Sequence, residues 1–534
     1  LSDSCVISTE VLIQPQLNTS MMGLYRSRTM YCTQCEAEGF RRITYFPDRP
    51  DIMSVFTVKI VADKASYPVL LSNGNAIERA DLDGGRHSVT WHDPFKKPSH
   101  LFALVAGTLS VVEDSFTTMS GRQIPLQIFV EEKDLDKCDH AMLSLKNSMR
   151  WDEEVYGREY DLDIFMIVAV DDFNMGAMEN KGLNIFNTSC VLASPDITTD
   201  AGYLRIESIV AHEYFHNFSG NRVTCRDWFQ LSLKEGFTVF RDSQFSADMN
   251  SPGVKRVEDV SFLRTHQFAE DAGPMAHPVR PDSFIEISNF YTLTVYEKGA
   301  EVVRMLHTLL GHELFIAGAK NYFESHDGKA VTCDDFVSAM EQVSGRDLLQ
   351  FRRWYEQSGT PDLTIEDHYD PVTRLATLTV RQSNGLSADG SKKPPLHLPL
   401  AVGLVVNGES HTFEEGSTTR LLEVTEPSQV FQINNVDDKP VVSLLRGFSA
   451  PVRLKSADDD NTLAMLIGSD TDDFVKWDAM QRYASRVIEA QMRGESLSGA
   501  FVSAYRQVMS SDIDDAMKAL LLMLPSEESL ADRQ

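Results

Sequence analysis

The sequence predicts a multidomain α+β protein. With 534 residues the chain is longer than one hydrophobic core usually supports, and length alone suggests roughly three or four domains. Apolar residues alternate with the period of a strand near the N-terminus and again around residue 400, whereas the region between them has helical periodicity. A last segment is helical throughout. We therefore expect four domains, at residues 1–108, 109–359, 360–455 and 456–534.

Residues 1–108 are expected to form an N-terminal β domain. The run Ser54–Val61 alternates, and Tyr67–Ser72 ends at Asn73-Gly74, a pair that favours a hairpin turn. Because the first strands have no visible partner, we expect the beginning of this domain to be missing from the sequence.

Residues 109–359 combine a sheet with helices. Asp163–Val170 is almost continuously apolar, which is typical of a buried strand. His312–Ile316 begins like a metal-binding motif but has isoleucine in place of the second histidine, and we interpret it as a helix end. Helical periodicity predicts helices at Lys137–Tyr156, Tyr203–Phe218, Leu231–Phe245 and Tyr296–Leu310.

Short strands separated by turn signals predict a small β-sandwich at 360–455. Ser456–Asn461 is expected to be a linker, and the helical stretches after it to open a C-terminal α-helical domain. Because the sequence stops soon after a helix, we expect this domain to be truncated. The strand-like runs of the sandwich are Leu363–Glu366, Leu375–Arg381, Leu398–Val406, Arg420–Val424, Val430–Ile433 and Val441–Leu444.

Charge and composition argue against several classes of protein. The formal charge of −28 disfavours a nucleic acid or an anionic membrane as a partner, because both need a basic face. The longest apolar runs, such as Leu400–Val406, fall far short of the roughly 18 residues of a membrane-spanning helix. Seven scattered cysteines do not suit a disulfide scaffold, and no signal peptide opens the sequence. We expect a cytoplasmic monomer that binds neither nucleic acid nor membrane.

The stretch Glu207–Asn217 carries the strongest chemical signal. On a helix, His212 and His216 lie roughly 40° apart, so both imidazoles can reach one ion at about 2.0–2.1 Å, the usual zinc–nitrogen distance. Glu213 leaves the helix about 100° from His212, which suits an acid or base beside the metal. The pattern alone is only moderately specific, and two partly exposed surface histidines are the alternative.

Glu235 strengthens the zinc interpretation. Eighteen residues separate it from His216, enough for a loop and the start of a second helix. A carboxylate there would complete a set of two histidines and one glutamate and leave a fourth position open, as catalytic zinc requires. Asp242 falls on the same helix face, where it could accept a hydrogen bond from a ligand histidine. An ordinary solvated aspartate is the equal alternative.

A second stretch, Met175–Asn180, follows the predicted buried strand. Gly176 lets backbone approach closely, as an edge strand lining a cleft would need. Glu179 beside Asn180 offers a carboxylate and an amide to a substrate. An ordinary turn with a surface glutamate is the alternative.

Together these motifs resemble the zinc aminopeptidases of the aminopeptidase N family, which belong to the gluzincins. The resemblance covers essentially the whole chain. It implies an N-terminal β domain, a thermolysin-like catalytic domain, a small β-sandwich and a C-terminal α-helical domain. The stretches that carry it are Gly176–Asn180, His212–His216, Glu235, Thr33–Arg42, Val210–Asn217 and Tyr291–Gly299.

The resemblance also implies the metal site and the reaction. His212, His216 and Glu235 would bind one zinc ion per chain. Glu213 would act as the general base and assist the attack of zinc-bound water on the N-terminal peptide bond, and Tyr296 would stabilise the tetrahedral oxyanion.

Substrate contacts follow from the same resemblance. Glu179 would bind the free α-amino group of a peptide, with Glu36 assisting it from the first domain. Two carboxylates that face an ammonium would close the site beyond the first residue, so the implied enzyme is an exopeptidase. The resemblance also implies broad specificity for neutral and basic first residues. Further contacts are implied for Gln34, Met175, Gly176, Ala177, Met178 and Asn180.

Three alternatives stay open at this point. One branch of the same superfamily has epoxide hydrolase activity, against which Ala177 argues mildly. A metal endopeptidase would not need Glu36 and Glu179. A non-catalytic peptide-binding scaffold would be expected to carry at least one damaged catalytic position.

Overall fold

A computed structural model describes residues 4–387 and 390–531 of the chain. The chain divides into two units, each containing strands and helices. The first consists of Leu1–Phe245, Ser283–Phe290 and Ile316–Val343, and the second of Ser246–Asp282, Tyr291–Phe315 and Ser344–Gln534. The predicted α+β class is confirmed, while the four predicted domain ranges stay a prediction.

The first strands of the chain form two antiparallel sheets in the first unit. Their apolar faces bury Tyr25, Leu70 and Trp91, which belong to one hydrophobic core. One sheet has the order Gly23–Ser27, Met30–Gln34, Leu104–Gly107 and Val69–Ser72, and the other the order Ser54–Asp63, Arg86–Lys97 and Asn75–Leu82. The predicted β structure of residues 1–108 is therefore present.

The predicted hairpin at Asn73-Gly74 is wrong. The strands on either side of it belong to different sheets. The Asn73 side chain donates hydrogen bonds to the carbonyl oxygens of Leu101 and Lys181, each at 2.9 Å. Gly74 has a φ of +89°, and a Cβ there would lie 2.2 Å from the His92 carbonyl oxygen. Asn73 and Gly74 therefore serve contacts with distant segments, and the backbone freedom of the glycine does not close a local turn.

A five-stranded mixed sheet follows in the same unit. Its central strand, Phe165–Val170, is wholly buried and runs parallel to both neighbours, as expected for a continuous apolar run. The edge strand Ala177–Met178 is antiparallel to its neighbour, so the predicted edge position is confirmed. The order is Ala177–Met178, Leu183–Asn187, Phe165–Val170, Gln123–Val130 and Ser110–Thr117. A short parallel pair joins Val223–Cys225 to Lys329–Val331.

Helices dominate residues 139–356, and all four helices predicted there are present within a few residues. The prediction of a helix end at His312 is wrong. The preceding helix ends at Leu310, Gly311 adopts a φ of +76°, and a new helix begins at His312. The α-helices are Asp139–Trp151, Asp200–Phe215, Leu231–Met249, Pro252–Phe262, Phe268–Ala272, Gly299–Leu310, His312–His326, Cys333–Ser344 and Arg353–Glu356, and the π-helical turns are Asp152–Tyr156, Leu263–Gln267 and Thr294–Lys298.

The later part of the second unit begins with the predicted strands. All six runs are confirmed as strands. One sheet has the order Ser428–Ile433, Leu375–Ser383, Asp362–Asp370 and Arg453–Lys455. In the other, Leu398–Val406 pairs with Glu409–Ser410, Arg420–Val424 and Val441–Leu444.

Helices complete this unit. The predicted linker is shorter than expected, because Asp459 caps a helix that starts at Asp460. Among the residues described, no helix combines the length and the apolar character that crossing a bilayer requires. The helices are Asp460–Ser469, Asp473–Met492, Gly499–Met509, Asp515–Leu522 and Glu527–Ala531.

Candidate active site

The helix Asp200–Phe215 carries the two histidines. It begins after Thr199, whose hydroxyl accepts a hydrogen bond from the Gly202 N–H at 3.1 Å. His212 lies in the last turn, and His216 directly follows Phe215 as the capping residue, with a backbone that is still right-handed helical. The two rings are nearly perpendicular, with centroids 4.6 Å apart and Nε2 atoms 3.0 Å apart. The structure therefore brings both imidazoles to one point.

The helix Leu231–Met249 brings Glu235 to the same point. Glu235 Oε2 lies 3.2 Å from His216 Nε2 and 3.5 Å from His212 Nε2. The side chain is buried, and within the described chain Oε2 has no hydrogen-bond partner. The three residues predicted to bind metal thus each offer one atom within 4.8 Å of the others.

The other nitrogen of each imidazole already has a partner. His212 Nδ1 lies 2.7 Å from Asp242 Oδ2, the contact that the sequence suggested, and His216 Nδ1 lies 2.8 Å from the Ser219 carbonyl oxygen. Since carboxylate and carbonyl oxygens accept, each Nδ1 carries a proton, and Nε2 is the nitrogen that presents a lone pair whenever the imidazole is neutral. Two lone pairs and a carboxylate oxygen around one point fit a bound cation, and this set of donors suits zinc.

Glu213 lies beside these ligands and does not take part in their cluster. Its side chain is buried, and its Oε2 has no hydrogen-bond partner among the described residues. Burial raises the pKa of this carboxyl well above its usual range, although the neighbouring His212 opposes the shift. A buried carboxyl with an uncommitted oxygen is suited to exchanging a proton.

Two further carboxylates, Glu36 and Glu179, approach Glu235. Glu36 follows the strand Met30–Gln34, and Glu179 follows the edge strand Ala177–Met178. Each of the three offers an oxygen within 4.8 Å of the others, and all three side chains are buried. The structure therefore brings the predicted amine-binding carboxylates to the metal-binding cluster, although they lie far apart in the sequence.

Lys234 holds these carboxylates together, and no motif in the sequence singles it out. Its Nζ lies 2.8 Å from Glu36 Oε1, 2.7 Å from Glu179 Oε1 and 2.5 Å from Glu235 Oε1. The lysine is 1% exposed, so its charge is matched within the protein. Its position next to Glu235 was the only available signal, and one neighbouring lysine on a helix is not distinctive.

The electrostatic environment differs between Glu36 and Glu179, the two carboxylates predicted to bind an amine. Burial, opposed by Lys234, raises the pKa of Glu36 to about 8. Burial also acts on Glu179, but the charges of His216 and Lys234 outweigh it and lower the pKa to about 2. Of the two carboxyl groups, Glu179 is therefore the one that stays ionised at neutral pH.

The remaining predicted contact residues divide into two groups. Gln34 and Met178 meet directly, with Gln34 Nε2 3.7 Å from Met178 Sδ and 3.2 Å from the Glu36 carbonyl oxygen. Asn180 is fully buried, and within the described chain neither atom of its amide has a hydrogen-bond partner. Met175 and Ala177 are partly exposed, and Gly176 is exposed. Their predicted contacts with a substrate stay predictions.

Tyr296 lies in the second unit, in the π-helical turn Thr294–Lys298. Its side chain is partly exposed. Its role as a donor to the oxyanion stays a prediction.

Family models cover most of the chain. The peptidase family M1 domain matches residues 140–355, and the peptidase M1 N-terminal domain matches residues 2–101. Two domains of unknown function follow, one with an Ig-like fold at 359–457 and one with ARM repeats at 460–534. Their order agrees with the predicted fold class.

Similar proteins are longer than this chain. Aminopeptidase N of Escherichia coli is 54% identical over 97% of this chain and 61% of its own length, and aminopeptidase N of Haemophilus influenzae is 51% identical over 99% and 62%. A crystal structure of Legionella pneumophila aminopeptidase A in complex with aspartic acid is 36% identical, with a TM-score of 0.89 over 97% of this chain and 58% of its own. The chain therefore spans about three fifths of the relatives it matches.

Proposed function

Since this chain belongs to the M1 family of peptidases, we propose that it is a zinc-dependent aminopeptidase that removes the first residue of peptides with a free N-terminus. One observation carries the proposal. Glu235 belongs to two groups at once. With His212 and His216 it forms the candidate metal site, and with Glu36 and Glu179 it forms an acidic group. A metal centre beside two buried carboxylates is the arrangement that an aminopeptidase needs.

His212, His216 and Glu235 are proposed to hold the ion. A bound zinc ion would polarise the scissile carbonyl and lower the pKa of water to about 7. Asp242 would keep His212 in the tautomer whose Nε2 can bind, as its 2.7 Å contact with Nδ1 indicates.

Glu213 is proposed to move the proton. It would take a proton from the attacking water and deliver it to the leaving amine, and its buried carboxyl keeps bulk water from competing for that proton. We propose that Tyr296 donates a hydrogen bond to the developing oxyanion, a contact typically worth a few kcal/mol.

Glu179 and Glu36 are proposed to bind the substrate's ammonium group. Glu179 and Glu235, whose pKa values are lowered, both stay ionised, and Lys234 neutralises only one of these two charges, so an attraction for a further cation is left. The name of the Legionella structure, a complex with aspartic acid, supports a site of this kind for a free amino acid.

The rest of the functional assignment follows the relatives. We propose a broad preference for neutral and basic first residues, a monomer, and activity in the cytoplasm without nucleic acid or membrane as a partner. The names of the aminopeptidase N relatives support the reaction and the formal charge of −28 argues against nucleic acid and anionic membranes, while the first-residue preference, the monomer and the location extend the family resemblance.

Hydrolysis of a panel of aminoacyl amides, with and without a chelator, tests the proposal. We expect turnover of alanyl and arginyl amides that a chelator abolishes and added zinc restores. Glu213→Gln should lower kcat by about 10²- to 10⁴-fold, the usual contribution of a general acid–base group. Asp200→Asn, an exposed change on the same helix, is the control. Turnover that resists the chelator, or full activity of Glu213→Gln, would contradict the mechanism.

A further inference from the structure

The loop after the helix Asp200–Phe215 holds the ring of His216 in one orientation. His216 is 1% exposed, and its Nδ1 donates to the Ser219 carbonyl oxygen at 2.8 Å. Thr238 Oγ1 lies 3.2 Å from the same nitrogen and donates to the same carbonyl at 3.1 Å. The carbonyl therefore fixes both the tautomer and the ring plane of the histidine.

Gly220 leaves the space that this ring occupies. Its φ of +148° lies in a region that favours glycine. A Cβ at this position would lie 2.8 Å from His216 Nδ1 and 3.4 Å from the His216 carbonyl oxygen. Real Cβ atoms essentially never approach a neighbour that closely. Any side chain at position 220 therefore displaces the imidazole or the loop.

Arg241 anchors the same loop from the helix that carries Glu235. Its Nη1 donates to the Phe215 carbonyl oxygen at 2.9 Å and to Ser219 Oγ at 3.0 Å. Arg241 is wholly buried, and Asp152 pairs with its Nη2. One helix thus supplies a candidate metal ligand and also holds the loop that orients another.

We propose that Ser219, Gly220, Thr238 and Arg241, which we call the His216 cradle, set the metal affinity of the site. These four are positioning residues, because they act only through His216. When the ring turns, its Nε2 lone pair leaves the point shared with the other two ligands. The inference rests on the proposed function in one respect, namely that this site binds a metal.

The first test is the zinc affinity of Gly220→Ala, measured by competition with a chromophoric chelator. We expect the Kd for zinc to rise about 10- to 100-fold, the usual effect of losing an outer contact of a ligand. Gly121→Ala is the matched control. Gly121 lies in the same unit with a φ of +87°, and a Cβ there meets no described atom within 4 Å. The control should lose stability through backbone strain alone and keep the zinc affinity of the wild type.

A pair of variants at Thr238 decides the question if Gly220→Ala does not fold. Thr238→Val removes the hydroxyl that contacts Ser219 and His216 at nearly constant volume, and should weaken zinc binding about tenfold. Thr238→Ser keeps the hydroxyl and should restore the affinity. The visible spectrum of the cobalt-substituted protein should change in Thr238→Val and not in Thr238→Ser, since it reports the ligand geometry directly.

The possible outcomes distinguish a failure of the His216 cradle from a failure of the proposed function. Wild-type zinc affinity and an unchanged cobalt spectrum in Thr238→Val would overturn the cradle, even if the protein hydrolyses aminoacyl amides. So would equal zinc affinities of Gly220→Ala and Gly121→Ala. Zinc binding that depends on the cradle in a protein without peptidase activity would support the cradle and overturn the proposed function alone.

Discussion

At the scale of single residues, buried Lys234 determines the charge of the candidate site. One ammonium faces the carboxylates of Glu36, Glu179 and Glu235 at 2.5–2.8 Å. All of these side chains are buried, so the surrounding dielectric screens their charges weakly. The excess of negative charge favours binding of cations, and both the metal and the ammonium group of a peptide are cations.

Glu179→Gln tests this account of substrate binding. The amide keeps the shape of the carboxylate but loses a hydrogen bond to a charged group, worth about 1.5–3 kcal/mol. At saturating zinc we expect kcat/KM for an alanyl amide to fall about 10- to 100-fold, mainly through KM. Glu38→Gln, at a side chain that is 40% exposed, should match the wild type. An unaltered KM in Glu179→Gln would show that Glu179 does not bind the ammonium.

The sequence predicted the acidic residues of the site but not the basic residues that hold them. Glu179 and Glu235 stand in recognisable motifs, whereas Lys234 and Arg241 gain their meaning from partners in distant segments. Arg241 pairs with Asp152, 89 residues earlier in the chain. Periodicity describes one helix at a time, so it places both side chains on a helix without telling what they face.

At the scale of elements, a buried ion network links the segments that carry the site. Lys181, just after the edge strand Ala177–Met178, donates to Asp161 Oδ1 at 2.6 Å and to Asn217 Oδ1 at 2.8 Å. Arg222 Nη1 donates to Asp161 Oδ2 at 2.7 Å. Asp161 thereby connects the segment of Glu179 with the end of the helix that carries the histidines.

Asp161→Asn should destabilise the protein strongly. The change leaves the buried Lys181 without its anion and removes one of the two carboxylates that pair with the partly buried Arg222, and breaking a buried pair costs about 3–5 kcal/mol. Burial tends to raise the pKa of Asp161, but Lys181 and Arg222 outweigh it and lower the pKa. Because the folded pKa is below the unfolded value of about 3.9, the carboxylate stabilises the fold above that pH and loses this effect as pH falls through the folded value. The difference between variant and wild type should therefore be full at pH 7 and shrink below about pH 4.

Urea unfolding at pH 7 and at lower pH checks this prediction, with Asp163→Asn as the control. Asp163 lies two residues away and pairs with Arg122 at 3.0 Å, but its side chain is 75% exposed. Such a pair contributes about 0–1 kcal/mol. Equal unfolding midpoints for the two variants at pH 7 would contradict the role given to Asp161.

Elements were predicted best where the sequence shows a continuous apolar run or a simple alternation. The central strand Phe165–Val170 and the six strands of the sandwich are of this kind. The failures lie at positions where one residue serves a distant contact or interrupts a helix. Asn73 binds carbonyl groups 28 and 108 residues away instead of closing a hairpin. Gly311 breaks a helical pattern that continues on both sides of it, so His312 begins a helix rather than ending one.

At the scale of the whole molecule, the order of the segments was readable from changes of period along the sequence. Along the chain the pattern of apolar residues is strand-like, then helical, then strand-like and then helical again. This order corresponds to the order of the four family models. The division into two units was not readable, because Ser283–Phe290 and Ile316–Val343 belong with the N-terminal part of the chain. Which distant segments pack together depends on contacts that a linear pattern does not contain.

Glu36 and Glu179 are proposed to restrict the enzyme to peptides with a free N-terminus. The most direct measurement compares kcat/KM for an alanyl peptide and for the same peptide with an acetylated N-terminus. The acetylated peptide lacks the ammonium that Glu179 would bind, and a lost hydrogen bond between charged groups costs up to about 3 kcal/mol, so it should be cleaved about 100-fold more slowly or not at all. Equal cleavage of the two peptides would contradict the account.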